Sequence, residues 1–274
     1  MTCAWNALLG ILPFWMREEV DLNGRDSLQE LRFRLGARPE LILAEKTTYL
    51  SQKITREDLE FCINLASKYS PWSASTVSKG YLTAPGGHRM GLCGNVRYHS
   101  GALHGIPELT SLCIRVARDF PGIAGRVPDT GSLIILGAPG WGKTTLLRDF
   151  CRKISERKTV CVVDERGELF PEGFSRGKRM DILSGCPKTV GIEMLLRTMG
   201  PEYIAVDEIT AEEDCNAMIQ AALCGVSLVA TAHAASFQDF RSRPVYHRLL
   251  EFPIFQNIVV LCPDKTYTLE RMCT

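Results

Sequence analysis

The sequence has almost no net charge, with 32 Lys and Arg against 31 Asp and Glu for a formal +1. That balance removes the field by which a chain attracts nucleic acid or anionic lipid without specificity, so no nucleic-acid partner is expected. Two short basic clusters, Arg176/Lys178/Arg179 and Arg241/Arg243, are small and far apart, and they read as solvated surface. Long apolar runs are missing too. The candidate membrane element, Cys3 to Met16, is too short to span, is broken by Pro13 and has no basic leader. It is expected to be a helix and turn docked on the core, with peripheral membrane contact as the alternative. Eleven cysteines are present, yet no pair has the two-to-four-residue gap of zinc ligands. Scattered singly, and with no secretory segment, they predict reduced, mostly buried thiols in a cytosolic protein. Repeats and low-complexity segments are absent, and so is the Asn-Lys-x-Asp segment of a guanine-reading switch.

The 45% hydrophobic share is ordinary for a folded chain, and 274 residues leave room for two domains. Residues 1–126 mix short elements and predict a smaller α+β domain. Leu28, Leu31 and Leu35 fall at near-helical spacing and predict a helix ended by Arg38-Pro39, followed by an extended run from Glu40 to Ala44. Thr55 and Asp58 form a capping-box pattern ahead of a helix from Glu57 to Ser67. Strand-like pieces follow around Tyr81 to Thr83 and Met90 to Leu92.

Turn residues between Pro121 and Gly131 mark a boundary, and residues 127–274 then alternate apolar strands with helices. Strands are predicted at Ser132 to Leu136, Thr159 to Val163, Tyr203 to Val206 and Ser227 to Thr231. Their continuous apolar runs suit a mostly parallel sheet covered on both faces. Helices are predicted at Lys143 to Glu156, Val190 to Met199 and Glu212 to Cys224. A last hairpin around Pro263-Asp264 closes the sheet.

The chemistry centres on Gly137-Ala138-Pro139-Gly140-Trp141-Gly142-Lys143-Thr144-Thr145, which fits G-x-x-x-x-G-K-[ST] between a strand and a helix. Glycines let successive N–H groups turn onto phosphate oxygens, and the helix N-terminus adds its positive end. Lys143 is expected to reach the β- and γ-phosphates of ATP, and Thr144 to ligate Mg2+. Trp141 is bulky for such a loop. Its ring is expected to turn away from the phosphates, over the base or a neighbouring subunit.

Tyr203-Ile-Ala-Val-Asp207-Glu208 is an apolar strand ending in carboxylates. Asp207 is the expected magnesium residue and Glu208 the group that polarises the attacking water. Asp164 and Glu165, after the strand Thr159 to Val163, are candidates to orient water or metal. His233, after the strand Ser227 to Thr231, is a candidate to hydrogen-bond the γ-phosphate or couple its loss to a neighbour. Arg115, Arg118, Arg166 and Arg197 are candidate arginine fingers, and the sequence does not choose among them.

The strand Thr159 to Val163 lies between the loop and the Asp207-Glu208 motif, and an inserted strand there, together with a Glu after the magnesium Asp, resembles the ATPase division of P-loop proteins that includes RecA-like and AAA-type motors. The resemblance narrows on Val163-Asp-Glu-Arg-Gly-Glu168, on Leu196 to Ile209 and on Gly225 to Ala234. In the first half it lies in Glu30 to Pro39, Gly80 to Arg89 and Ile114 to Arg118. With these segments the chain resembles the stage III sporulation protein AA family, relatives of the type II and type IV secretion ATPases. Those ATPases carry an acidic box and a histidine box, to which Asp164, Glu165, Glu168 and His233 correspond. The sequence departs at Thr210-Ala211, where the resemblance implies an Arg.

The resemblance implies a RecA-like P-loop ATPase of the mother-cell cytoplasm, forming a hexameric ring. It further implies docking on membrane proteins of a channel between mother cell and forespore, with membrane association through those partners. The alternatives are a nucleotide-gated assembly scaffold with little turnover and a RecA-like nucleic-acid ATPase.

Overall fold

A computed structural model of the chain describes residues 4–68, 80–99, 102–171 and 173–271. Cys3, at the start of the opening segment, lies outside the described residues. The chain divides into two compact units, the first built on the chain up to Asp119 and the second on the chain from Phe120 onward.

In the first unit, α1 (Trp5–Gly10) and α2 (Phe14–Gly24) precede β1 (Leu28–Arg34), β2 (Glu40–Leu43) and β3 (Thr47–Tyr49). Then come α3 (Arg56–Ala66), β4 (Tyr81–Ala84), β5 (His88–His99) and β6 (Ala102–Arg115). The strands form one antiparallel sheet in the order β3-β2-β1-β6-β5-β4. The apolar opening is a core element, with Trp5, Leu8, Ile11, Leu12 and Met16 buried. No helix among the described residues is long and apolar enough to cross a membrane. The capping box forms as expected: Asp58 N–H donates to Thr55 Oγ1 (3.2 Å), and Thr55 N–H donates to the Asp58 carboxylate (2.9 Å).

The helix expected at Leu28 to Leu35 is instead the strand β1. A β-bulge between Leu28 and Glu30 inserts an extra residue into the ladder with β2. It brings Leu28 into the buried set with Leu31 and Phe33. The bulge turns a spacing of two into a spacing of three, which imitates a helical repeat.

The second unit runs β7 (Leu133–Leu136), α4 (Lys143–Ile154), β8 (Val160–Asp164), β9 (Met180–Ser184), α5 (Lys188–Thr198) and β10 (Tyr203–Glu208). It continues with α6 (Glu212–Leu223), β11 (Ser227–Ala232), the short α7 (Phe237–Ser242) and α8 (His247–Glu251), then β12 (Asn257–Leu261) and β13 (Tyr267–Arg271). Its seven-stranded sheet has the order β13-β12-β7-β11-β10-β8-β9. Every neighbouring pair is parallel except the closing hairpin β12–β13. This is a RecA-like α/β unit, preceded in the chain by the α+β unit. In the sheet, the strand inserted between β7 and β10 is β11, while β8 pairs on the far side of β10.

Both faces of the sheet are covered at its centre, which is why β7 and the buried stretches of β8, β10 and β11 are nearly continuous apolar runs. Ile134, Leu136, Ile204, Val206 and Leu228 pack with Ile192 and Leu195 of α5 and Met218 and Ile219 of α6. Leu133, Ile135, Val160, Val162 and Val229 pack with Leu146, Leu147 and Phe150 of α4. Helix α5 approaches β8 so closely that a Cβ at Gly191 would lie 2.6 Å from Val163 Cγ1. Helix α4 also anchors the turn-rich segment before β7. The N–H groups of Gly122 and Ala124 donate to Asp149 (3.0 and 2.8 Å), and Lys153 Nζ donates to the carbonyls of Gly125 and Val127 (3.0 and 2.6 Å).

Strand β9 was not anticipated. It is a five-residue edge strand, Met-Asp-Ile-Leu-Ser, with no fully buried position, so its apolar pattern is weak. The basic cluster before it lies on the surface, where Lys178 pairs with Glu156 (2.6 Å) and Arg179 donates to the Arg157 carbonyl (2.9 Å).

Candidate functional site

Parallel strands all point their carboxyl ends to one edge, and the loops leaving that edge gather chemistry that is scattered in sequence. Here the loop 137–142 leaves β7, Glu165 follows β8, Asp207 and Glu208 end β10, and His233 follows β11.

The loop turns through Gly140 (φ 79°) and Gly142 (φ 101°), a left-handed backbone that side chains rarely adopt. Gly137 is held close for another reason: a Cβ there would lie 3.2 Å from Leu261 Cβ. Gly142 caps α4, whose first residue is Lys143. The first-turn N–H groups of this helix point at the loop's concavity and favour an anion there.

Lys143 is buried, and its ammonium donates to the carbonyls of Gly137 (2.9 Å) and Ala138 (3.2 Å) and to His233 Nδ1 (3.0 Å). On the other side of the ring, His233 Nε2 lies 2.8 Å from Glu208 Oε1. An ammonium only donates, so Nδ1 accepts and Nε2–H faces the carboxylate. One chain of contacts therefore runs from the loop lysine through the imidazole to Glu208. Burial pushes the Lys143 pKa down, opposed by the negative charge of Glu208 and Asp207.

Thr144 Oγ1 donates to Asp207 Oδ1 at 3.4 Å. Burial pushes the Asp207 carboxyl up to about 6, helped by the nearby negative charge of Asp164, Glu168 and Glu208 and opposed by the Thr144 hydrogen bond. A carboxylate this crowded by like charge calls for a cation. Among the described residues no cluster of three or more His, Cys, Asp or Glu forms a metal cage. One hydroxyl and one carboxylate suit Mg2+, which takes few protein ligands and completes its shell with water and phosphate. Thr231, level with Glu208 in the β10–β11 ladder, is fully buried, and its hydroxyl has no partner among the described residues. An orphaned buried hydroxyl beside these groups marks an arrangement that a ligand or water completes.

Asp164 and Glu165 diverge. Both oxygens of Asp164 accept backbone N–H groups of its own loop, from Glu168 (2.9 Å) and Leu169 (3.0 Å). Glu165 lines a small recess with Asp207, Glu208, Arg166 and Lys188. Lys188 Nζ donates to Glu165 at 2.6 Å and lies 3.6 Å from Asp214. Lys188 was missed in the sequence because a lone Lys after a Pro fits no motif. Asp214 in turn accepts from the N–H groups of Thr210 and Ala211, so the residues standing where an Arg was expected form a helix cap. Of the four arginines considered, Arg115 pairs with Glu30, Arg118 binds the Leu28 carbonyl and Arg197 pairs with Glu193. Only Arg166 of the four lines the recess beside Asp207 and Glu208.

Trp141 lies half-buried against the core cluster under α4. With Gly140, Gly142 and Thr145 it borders a separate cavity, on the flank of the loop that also carries Leu261 and Tyr267.

The comparisons with known proteins agree with this architecture. Residues 10–268 match the family model described as sporulation stage III, protein AA. The chain is 36% identical over 282 aligned residues to stage III sporulation protein AA of Bacillus subtilis (strain 168), covering 95% of this chain and 92% of that protein. Among solved structures, the ATPase DotB of Legionella pneumophila superposes with a TM-score of 0.61 at 17% identity, covering 94% of this chain and 79% of that one. The pilus retraction motor PilT with bound ADP also gives 0.61, at 16% identity, over 95% and 82% of the two chains. The fold is thus shared with the ATPase DotB and the pilus retraction motor PilT, and the sequence places the chain within the stage III sporulation protein AA family.

Proposed function

We propose that the protein is a magnesium-dependent ATPase whose turnover serves a sporulation channel complex. The observation that carries this reading is the contact chain Lys143–His233–Glu208 beside the Thr144–Asp207 pair, at the carboxyl edge of the parallel sheet.

In this reading the loop 137–145 wraps the phosphates with its N–H groups, and Lys143 exchanges its contacts with Gly137, Ala138 and His233 for β- and γ-phosphate oxygens. Thr144 and Asp207 hold Mg2+, which neutralises charge on the phosphates. Once Lys143 leaves His233, the imidazole keeps its Nε2–H on Glu208 and fixes that carboxylate. Glu208 accepts a hydrogen bond from the attacking water and orients it in line with the γ-phosphate. Glu165, steered by Lys188, is a second carboxylate in reach of that water. Arg166 is a candidate transition-state cation of the same edge.

The family, together with the likeness in fold to the ATPase DotB and to the pilus retraction motor PilT, supports a further step. The protein acts as a ring, a hexamer, in the mother-cell cytoplasm and docks on membrane proteins of the channel between mother cell and forespore. ATP hydrolysis there drives assembly or transport. In Lys143→Ala, steady-state phosphate release is expected to fall at least a thousandfold, to background, by loss of the cation on the transferred group. Unchanged release in the purified variant contradicts the reading.

A further inference from the structure

The loop has two flanks. One faces Asp207, Glu208 and His233, where the terminal phosphate reacts under the reading above. The other opens into a cavity of about 300 Å3, bordered by Gly140, Trp141 and Gly142 of the loop and by Thr145 of α4. That volume lies at the lower end of the range for small-molecule sites, about 300–1,000 Å3. A triphosphate held with its γ end at Glu208 directs its nucleoside end into this space.

The cavity's walls are aromatic and aliphatic: Phe120, Trp141, Leu261 and Tyr267. Such rings offer stacking faces to any base. The hydrogen-bonding side chains on its lining are few, and none is a carboxylate or an amide. The Tyr267 hydroxyl is already engaged, donating to the Ile123 carbonyl at 3.0 Å. The Arg126 guanidinium lies 5.3 Å from the centre of the Tyr267 ring, which helps to fix the ring in place. Lys265 reaches the rim from the β12–β13 turn, where its left-handed backbone (φ 66°) is held by the Cys262–Thr266 and Lys265–Cys262 backbone hydrogen bonds. Its ammonium only donates. The only side-chain acceptors on the lining are the hydroxyls of Thr145 and Tyr267, and a hydroxyl serves the adenine N6 amino group and the guanine N1–H and N2 amino group equally, so neither base is singled out.

We infer that this cavity holds the nucleoside by stacking on Tyr267 and its aromatic neighbours without reading the edge of the base, so that adenine and guanine nucleotides bind alike. The inference rests on the nucleotide reading above and adds the base specificity of the same site. It also gives Trp141 a role, as the apolar wall between the phosphate loop and the base. Sites that read a base or hydroxyl by hydrogen bonds discriminate by about 10⁴ or more, whereas apolar pockets discriminate by about a hundredfold or less.

The test is calorimetric titration of the full chain, with Mg2+, against the β,γ-imido analogues of ATP and GTP and against inorganic tripolyphosphate. The two nucleotides are expected within about tenfold of each other, with tripolyphosphate weaker than both. Tyr267→Ala is expected to weaken both nucleotides by about tenfold and to leave tripolyphosphate unchanged, with Tyr267→Phe recovering the lost affinity. A preference for adenine over guanine above a hundredfold overturns the inference. So does a Tyr267→Ala effect as large on tripolyphosphate as on the nucleotides. If neither the nucleotides nor tripolyphosphate binds, the phosphate-loop reading itself falls.

Discussion

The two edges of the parallel sheet differ in what they offer. At the amino edge, the starts of β7, β11 and β12 frame a cavity of about 430 Å3 lined by Ile219, Leu223, Val226, Phe252 and Ile254. At the carboxyl edge, the space between Glu165, Lys188, Asp207 and Glu208 is much tighter, yet it holds a connected set of ionisable groups. The roomier edge has apolar walls and no such set. The comparison teaches that convergent charge and hydrogen-bond donors, and not volume, single out the proposed site in this fold. The cause is topological, since parallel strands deliver their following loops, and the residues on them, to one edge alone.

That contrast breaks most directly at the imidazole. His233→Ala removes the group between Lys143 and Glu208, leaving the carboxylate unguided. A fall in kcat of about a hundredfold is expected, the usual cost of a misplaced catalytic group, with nucleotide affinity changed less than threefold. Stopped-flow binding and phosphate release measured on one preparation separate the two effects.

Acidity tests Asp207. Its folded-state pKa is raised to about 6 from an ordinary value of 3.8, so folding favours the protonated form. The stability this contributes to the free protein is fully present below about 3.8 and is lost as pH rises through about 6. Under the proposed function magnesium needs the ionised form, so its binding would run the other way. The rise in Tm produced by Mg2+ and a non-hydrolysable ATP analogue is expected to shrink as pH falls from about 7.5 to 5.5. In Asp207→Asn the rise should be small at every pH.

Lys188 tests the ionic frame of the same edge. Lys188→Met leaves Glu165 and Asp214 without their shared cation. Because Glu165 is partly exposed, the cost is only about 1–2 kcal/mol, seen as a lower urea midpoint. The smallest effect belongs to the amino edge, where Leu223→Ser, at a position 68% exposed, should leave phosphate release within about twofold of the parent. A large loss there erases the contrast between the edges.

Much of the second unit was legible because its signals are local. A strand buried on both faces is apolar at every position, and a phosphate loop states its turn in glycines, so β7, β8, β10 and β11 and the loop 137–145 emerge from sequence alone. The first unit was harder. The bulge in β1 gave Leu28 and Leu31 a helical spacing, and the long partner β6 paired with residues far from it in sequence. In the site, Lys143, Asp207 and Glu208 sit in recognisable strings. Lys188 and Tyr267 acquire their places only when distant segments meet, and no spacing encodes that. The contact of Lys143 with His233 links residues 90 positions apart and was not legible either.

The central claim is that Glu208 acts on water after the nucleotide is bound, and Glu208→Gln tests it most directly. This variant keeps the side-chain shape and loses the charge. The account predicts Mg-ATP affinity within about threefold of the parent and phosphate release reduced by about 10²–10⁴, the range of a lost general base. Phosphate release at the parent rate, with ATP bound as tightly as before, contradicts it.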